Sequence, residues 1–187
     1  MKYFILGALA SGLVLYGMSL LYGLTGSLSL DQISDATLTN LAPSSLPLTL
    51  AVVMVIAGLL FKLGAAPFHM WVPDVYEGSA TSTTLYLSAV PKLAAFAILL
   101  RLLISGLGGW LEIWQDVILV AAVLSIGLGN IIAIAQSNIK RMFAYSTISH
   151  MGFLLLGFST AGELGLSAAM MYTLIYMFTT LVAFGVV

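Results

Sequence analysis

Phe61-Lys62-Leu63-Gly64-Ala65-Ala66-Pro67-Phe68-His69-Met70-Trp71 stays apolar across a proline, yet carries a lysine and a histidine. Proline lacks a backbone donor and ends or kinks a helix, so an apolar helix entering this stretch should break and continue beyond it. Interrupted backbone at membrane depth is tolerated only where protein buries it or where it lines a hydrated cavity, and the stretch therefore reads as a discontinuous membrane helix. Lys62 and His69 would flank the break. A desolvated lysine and a histidine both suit proton transfer near neutral pH. Taken alone, Lys62 could instead snorkel to the interface, and His69 could simply bond a helix end.

The chain around this stretch is built for lipid. Of its 187 residues, 61% are hydrophobic and only 7% charged, with a mean hydropathy of +1.12, whereas a soluble domain carries about a quarter charged residues. Apolar runs of the length needed to cross about 30 Å of hydrocarbon cover Tyr3 to Leu24, Leu48 to Ala66, Thr81 to Ile104, Glu112 to Ala135, Met142 to Ser159 and Leu166 to Val187. We read residues 1–187 as a single transmembrane domain: an all-α, polytopic helix bundle of about six spans, one of them broken. Loops or breaks are expected from Thr25 through Pro47, from Pro67 to Gly78, Ser105 to Trp110, Gln136 to Arg141 and Thr160 to Gly165. The opening Met1 to Tyr16 continues apolar to Tyr22 without a small-x-small cleavage site, so it reads as a span and not as a removable signal. The last run reaches Val187 without flanking polar residues, as in a fragment of a longer chain.

Charge and cysteine content narrow the function. A net charge of -1 without a basic run argues against nucleic acid as a partner. No cysteine is present, so disulfides, thiolate metal sites and sulfur-ligated clusters are excluded, and a redox centre would belong to another chain. No metal or cofactor site is read here. Lys2, Lys140 and Arg141 fall on one side of an alternating six-helix path and Arg101 on the other, which places the first side in the cytoplasm. Trp71, Trp110 and Trp114 stand at segment ends, where interfacial aromatics gather.

Lys92 lies eleven residues after Thr81 and twelve before Ile104, near the bilayer midplane at a rise of about 1.5 Å per residue. A lysine there costs about 2.5 to 3.5 kcal/mol to insert and usually faces a bundle interior or a hydrated pathway. Thr81, Thr84, Ser88 and Lys92 recur every three or four residues and form one polar stripe. Pro91 frees backbone carbonyls beside it. Farther on, Ser146, Ser149 and His150 mark one segment, and Tyr172, Tyr176 and Thr179 the next. Such hydroxyls either order a chain of waters or act as glue between helices. Every Asp and Glu lies in a loop or at a segment end, so neither lysine has an evident carboxylate partner within the membrane. A lysine that takes and gives a proton needs a modulating charge, and that charge is expected outside these residues.

Three stretches carry a resemblance: Met1-Lys2-Tyr3-Phe4-Ile5-Leu6-Gly7-Ala8, Gly58 through Gly78 with its FK-x4-PFH-x-W-x-PDVYEG pattern, and Asn138 through Gly152. Together they resemble the antiporter-like proton-pumping subunits of respiratory complex I, most closely those of the N type. The resemblance implies a fourteen-helix fold of two inverted five-helix repeats plus flanking helices, of which this chain would supply the sixth to eleventh. It makes Lys62 the lysine of the broken seventh helix, Lys92 the central lysine of the eighth, and His69 the histidine after the break. The glutamate of the family's fifth helix, which pairs with the residue matched by Lys62, would precede Met1. The lysine of its twelfth helix would follow Val187. Tyr172 and Tyr176 stand where the sister L and M types tend to carry histidine, which favours the N type over them and over Mrp-type antiporter subunits.

The expected function is proton translocation through Lys62 and Lys92, with His69 and His150 as relays and Ser88, Ser146, Ser149, Tyr172 and Tyr176 lining the water path. Flavin, iron-sulfur clusters and quinone would reside in other subunits, where NADH oxidation and quinone reduction drive transport. Partners would be the other membrane-arm subunits and the lipid. The location would be a bacterial inner membrane, or a thylakoid or other energy-converting membrane. A monovalent cation/proton antiporter of the Mrp type and an inert helix bundle are the rival readings.

Overall fold

The first two long helices of the chain, Lys2–Thr25 and Leu46–Leu63, pack directly against each other. A computed structural model describes residues 1–39 and 45–187 and gives eight α-helices: α1 (Lys2–Thr25), α2 (Leu30–Thr39), α3 (Leu46–Leu63), α4 (Trp71–Gly78), α5 (Thr81–Leu100), α6 (Leu111–Ile134), α7 (Ile139–Ser159) and α8 (Glu163–Val186). Among the described residues, five stretches are long and apolar enough to cross a membrane: Lys2–Thr25, Leu46–Leu63, Thr81–Gly106, Gly108–Ile134 and Glu163–Val186. The 21 residues of α7 rise about 31 Å, long enough for a sixth span, though Lys140, Arg141 and the hydroxyls make it more polar. The bundle is thus all-helical, with the break in α3 as expected.

Several expected loops are partly helical. The linker after Thr25 holds the amphipathic α2, while residues 40–44 of that linker lie outside the described residues. The stretch after Pro67 resumes as α4, because Trp71 to Gly78 can bury one apolar side while Asp74 and Glu77 reach out. Helix α5 passes through Pro91 and ends in a π-helical turn, Arg101–Gly106, followed by a short 3-10 turn at Gly108–Trp110. Lys140 and Arg141 lie inside the first turn of α7, where Asn138 caps the helix by accepting from both their amides.

In lipid, helices gain little from hydrophobicity alone and associate through close packing and small residues. Two helix pairs depend on this. A Cβ on Gly17 of α1 would lie 2.8 Å from Ala51 O of α3, and one on Gly58 of α3 would lie 2.7 Å from Ala10 O of α1. The α6 and α7 pair repeats the device: a Cβ on Gly129 would stand 2.6 Å from Ser149 N, and one on Gly152 would stand 2.8 Å from Ala122 O. Helix α5 packs against α3 and α8, and α4 packs against α1 and α7. The three tryptophans expected at segment ends are buried against protein. Trp71 donates to Phe61 O at 2.9 Å and Trp114 to Leu107 O at 3.1 Å, so their indoles close helix ends inside the protein.

At one end of the bundle the charges meet. Asp74 of α4 pairs with Lys2 of α1 at 2.5 Å and with Arg141 of α7 at 3.1 Å, and Arg141 also holds Glu77 at 2.8 Å. Lys140 donates to Ser79 O. All three basic residues assigned to one side of the membrane therefore gather at one end.

Two expectations follow. Gly58→Val should overpack the α1 and α3 crossing at a cost of about 1 to 3 kcal/mol, lowering the amount of folded chain recovered from membranes, whereas Gly7→Val, whose Cβ has open space around it, should not. Asp74→Asn removes ion pairs that are partly exposed and worth about 0 to 1 kcal/mol each, so it should lower the melting temperature in detergent far less than Gly58→Val does.

Candidate functional site

The break in α3 generates the site. Leu60 O accepts both the Gly64 and the Ala65 amide, at 2.9 and 3.0 Å, which closes the last turn. Gly64 makes this possible by taking the left-handed conformation at φ 76°, a region that favours glycine. A cis peptide joins Ala66 to Pro67. Three backbone groups at the break find partners on three other elements. Trp71 of α4 donates to Phe61 O, Lys92 of α5 donates to Leu63 O at 2.6 Å, and Ser125 of α6 accepts from the Ala66 amide at 2.8 Å. An unsatisfied buried amide or carbonyl costs about 1 to 3 kcal/mol, so each of these contacts matters where water is scarce.

Lys92 is almost completely buried, at 2% exposure. Its ammonium sits on the carbonyl end of α3, where the helix dipole favours a cation, and lies 5.7 Å from the centre of the Trp71 ring. The polar stripe before it is buried too, but its hydroxyls are engaged with backbone: Thr84 donates to Tyr76 O and Ala80 O, and Ser88 to Leu85 O. Thr81 is only half-buried.

Lys62 precedes the last residue of α3 and points elsewhere. It lines a cavity of about 490 Å³ together with Tyr3, Ser11, Trp71 and Pro91. Leu87 lines the same cavity, and its carbonyl is the one Pro91 leaves without a helical donor. Trp71 borders this cavity while facing Lys92 across its ring, so one indole touches the surroundings of both lysines. Among the described residues no carboxylate lies within ion-pair distance of Lys62 or Lys92. His69 sits in the break, half-buried, with Nδ1 buried and without a hydrogen-bond partner among the described residues.

A second polar cluster joins α7 and α8. His150 Nδ1 is 2.7 Å from the Tyr172 hydroxyl, its ring is 5.4 Å from that of Tyr176, and Tyr176 donates to Thr147 Oγ1 at 3.0 Å. Ser146, Thr147, His150, Tyr176 and Thr179 line one cavity of about 230 Å³. Ser149 does not join them. It is buried on the face of α7 that meets Gly129 of α6, so it packs helices and stands away from this polar cluster. Sequence reading missed Thr147, three residues before His150 and hence on its face, and Ser125, a lone hydroxyl in an apolar run.

The chain matches, over residues 1–187, the family described as NADH:quinone oxidoreductase/Mrp antiporter, TM. It is 55% identical over its whole length to the NADH-quinone oxidoreductase subunit N of Thioalkalivibrio sulfidiphilus, and it spans 39% of that relative's length. A chain of respiratory complex I from Thermus thermophilus, solved with bound aureothin, superposes with a TM-score of 0.79 at 39% identity, covering 98% of this chain and 38% of that one. A chain of the Mrp complex from a Dietzia species shares the fold at 24% identity, with a TM-score of 0.87 over 97% of this chain and 33% of that one. This integral membrane chain, with its interrupted helix and inward lysine, belongs to the NADH:quinone oxidoreductase/Mrp antiporter transmembrane family.

Proposed function

We propose that residues 1–187 form one transmembrane unit that carries protons within the membrane arm of an NADH:quinone oxidoreductase, in a bacterial plasma membrane. The observation that carries this reading is Lys92, buried midway along a helix long and apolar enough to cross a membrane, with its ammonium on the carbonyl end of α3. Packing alone does not require so costly a residue there. Lys62, at the neighbouring cavity, is the second carrier, and the subunit-N relatives make NADH-quinone oxidoreductase the fitting complex. Flavin, iron-sulfur clusters and quinone then belong to other subunits, and electron transfer there drives the proton here.

In this mechanism a proton resides on Lys62 while a carboxylate from outside the described residues faces it. When that carboxylate withdraws, the Lys62 ammonium loses its counter-charge and gives up its proton, which passes to Lys92 when Lys92 is a neutral amine. His69 is the relay at the break. The cluster of His150, Ser146, Tyr172 and Tyr176 extends the path toward α8, and Ser88 supports Lys92 from one turn away. The shared fold of the Mrp chain favours a second reading, a monovalent cation/proton antiporter; Na⁺ or K⁺ dependence of proton movement in sealed vesicles would select it.

Lys92→Ala in the assembled complex should lower proton translocation by about tenfold or more, the range that a lost proton carrier commonly costs, as read by a pH-sensitive dye in sealed vesicles. Wild-type pumping would leave an inert helix bundle as the better reading. Lys62→Arg keeps the charge but does not readily release a proton, so it should assemble and still lose most pumping, as Lys62→Ala should; normal pumping by the arginine variant would show that Lys62 need not deprotonate.

A further inference from the structure

Ser125 has the geometry of a brace and not of a carrier. It lies midway along α6, fully buried, and spends its one hydroxyl proton on Ala121 O at 2.6 Å. Only lone pairs are left to face the break, and the Ala66 amide takes them. That amide follows directly on the last one that α3 satisfies, since Gly64 and Ala65 both turn back to Leu60 O. Two residues separate Ala66 from Leu63, whose carbonyl receives Lys92. Between them stand Gly64 and Ala65, both held in place by the closed turn.

We propose that Ser125 is a positioning residue for proton transfer: by accepting the Ala66 amide it fixes the interrupted backbone that presents the Leu63 carbonyl to Lys92. This rests on the reading of Lys92 as a proton carrier. The chain of contacts runs from Ala121 O through the Ser125 hydroxyl to Ala66, along the turn to Leu63 O, and so to the Lys92 ammonium. Helix α6, locked to α7 by the Gly129 and Gly152 crossing, supplies the rigid end of that chain. Without the hydroxyl, the Ala66 amide is buried with no partner and the break must shift to find one. The carbonyl that orients Lys92 shifts with it.

Valine and threonine have nearly the same shape, so Ser125→Val and Ser125→Thr, each in the complete assembled complex, separate the hydroxyl from the volume. Proton translocation per assembled complex, measured in sealed vesicles, should fall about tenfold in the valine variant, within what an ångström of misplacement costs. It should return close to normal in the threonine variant. If the valine complex does not accumulate, Ser125→Cys, similar in size and a weaker acceptor, should assemble with an intermediate loss. Equal pumping per complex in valine and threonine variants, or a cysteine variant that pumps normally, would overturn the proposal and leave Ser125 a packing residue. Lys92→Ala measured alongside separates the two ideas: if it pumps normally, the carrier reading fails, whereas an inactive Lys92→Ala beside a fully active Ser125→Val refutes the brace alone.

Discussion

Hydrocarbon offers no hydrogen bonds, so a helix that stops inside a membrane must find a protein partner for each amide and carbonyl it exposes. Helix α3 stops at Leu63, and much of the surrounding structure answers that one constraint. An indole from α4, an ammonium from α5 and a hydroxyl from α6 converge on a single turn of backbone. The ammonium is the unusual member. A neutral donor would satisfy Leu63 O just as well in number, but a charged one binds it about twice as strongly. The protonation state of Lys92 and the geometry of the break are therefore linked: losing the proton weakens the contact that helps hold the turn.

That linkage is useful only if the rest of the bundle stays still. The two glycine crossings, Gly17 with Gly58 and Gly129 with Gly152, bring α1 to α3 and α6 to α7 at backbone contact. Such close packing supplies dispersion where lipid removes most of the hydrophobic gain. Helix α4 is tied at its far end by Asp74 and Glu77 to α1 and α7. The break is thus a short non-helical element set between helices that are each anchored to a neighbour.

The sequence showed the break itself, because an apolar run that outlasts a proline has few other readings, and it showed that Lys92 points inward, because the cost of insertion demands it. It also singled out His150, Tyr172 and Tyr176 on two successive segments, and the structure brings them to one cluster. It failed where spacing carries no direction. Ser149 and His150 are neighbours, and adjacent helical residues point about 100° apart, so the stripe could keep only one of them. The tryptophans stand at element ends as the sequence indicates, but their burial against other helices is not legible from position alone. Helices α2 and α4 were hidden in stretches punctuated by Gly, Pro and acidic residues. Ser125 carried no periodic signal at all, since its meaning depends on a backbone amide 59 residues away.

The two lysines differ in what holds them. Lys92 is placed by the fold alone: a helix end accepts its hydrogen bond, an aromatic face lies beside it, and burial denies it water. Lys62, one residue before that same helix end, is exposed to a cavity and has no ion partner among the described residues. Backbone dipoles thus offset part of what burial costs a charge at Lys92, while Lys62 faces a cavity. His69 lies two residues before α4, near the positive amide end of a helix, whereas Lys92 sits at the negative carbonyl end of another. The two half-helix ends at the break are therefore opposite in sign, and the carbonyl end is the one that the Lys92 ammonium occupies.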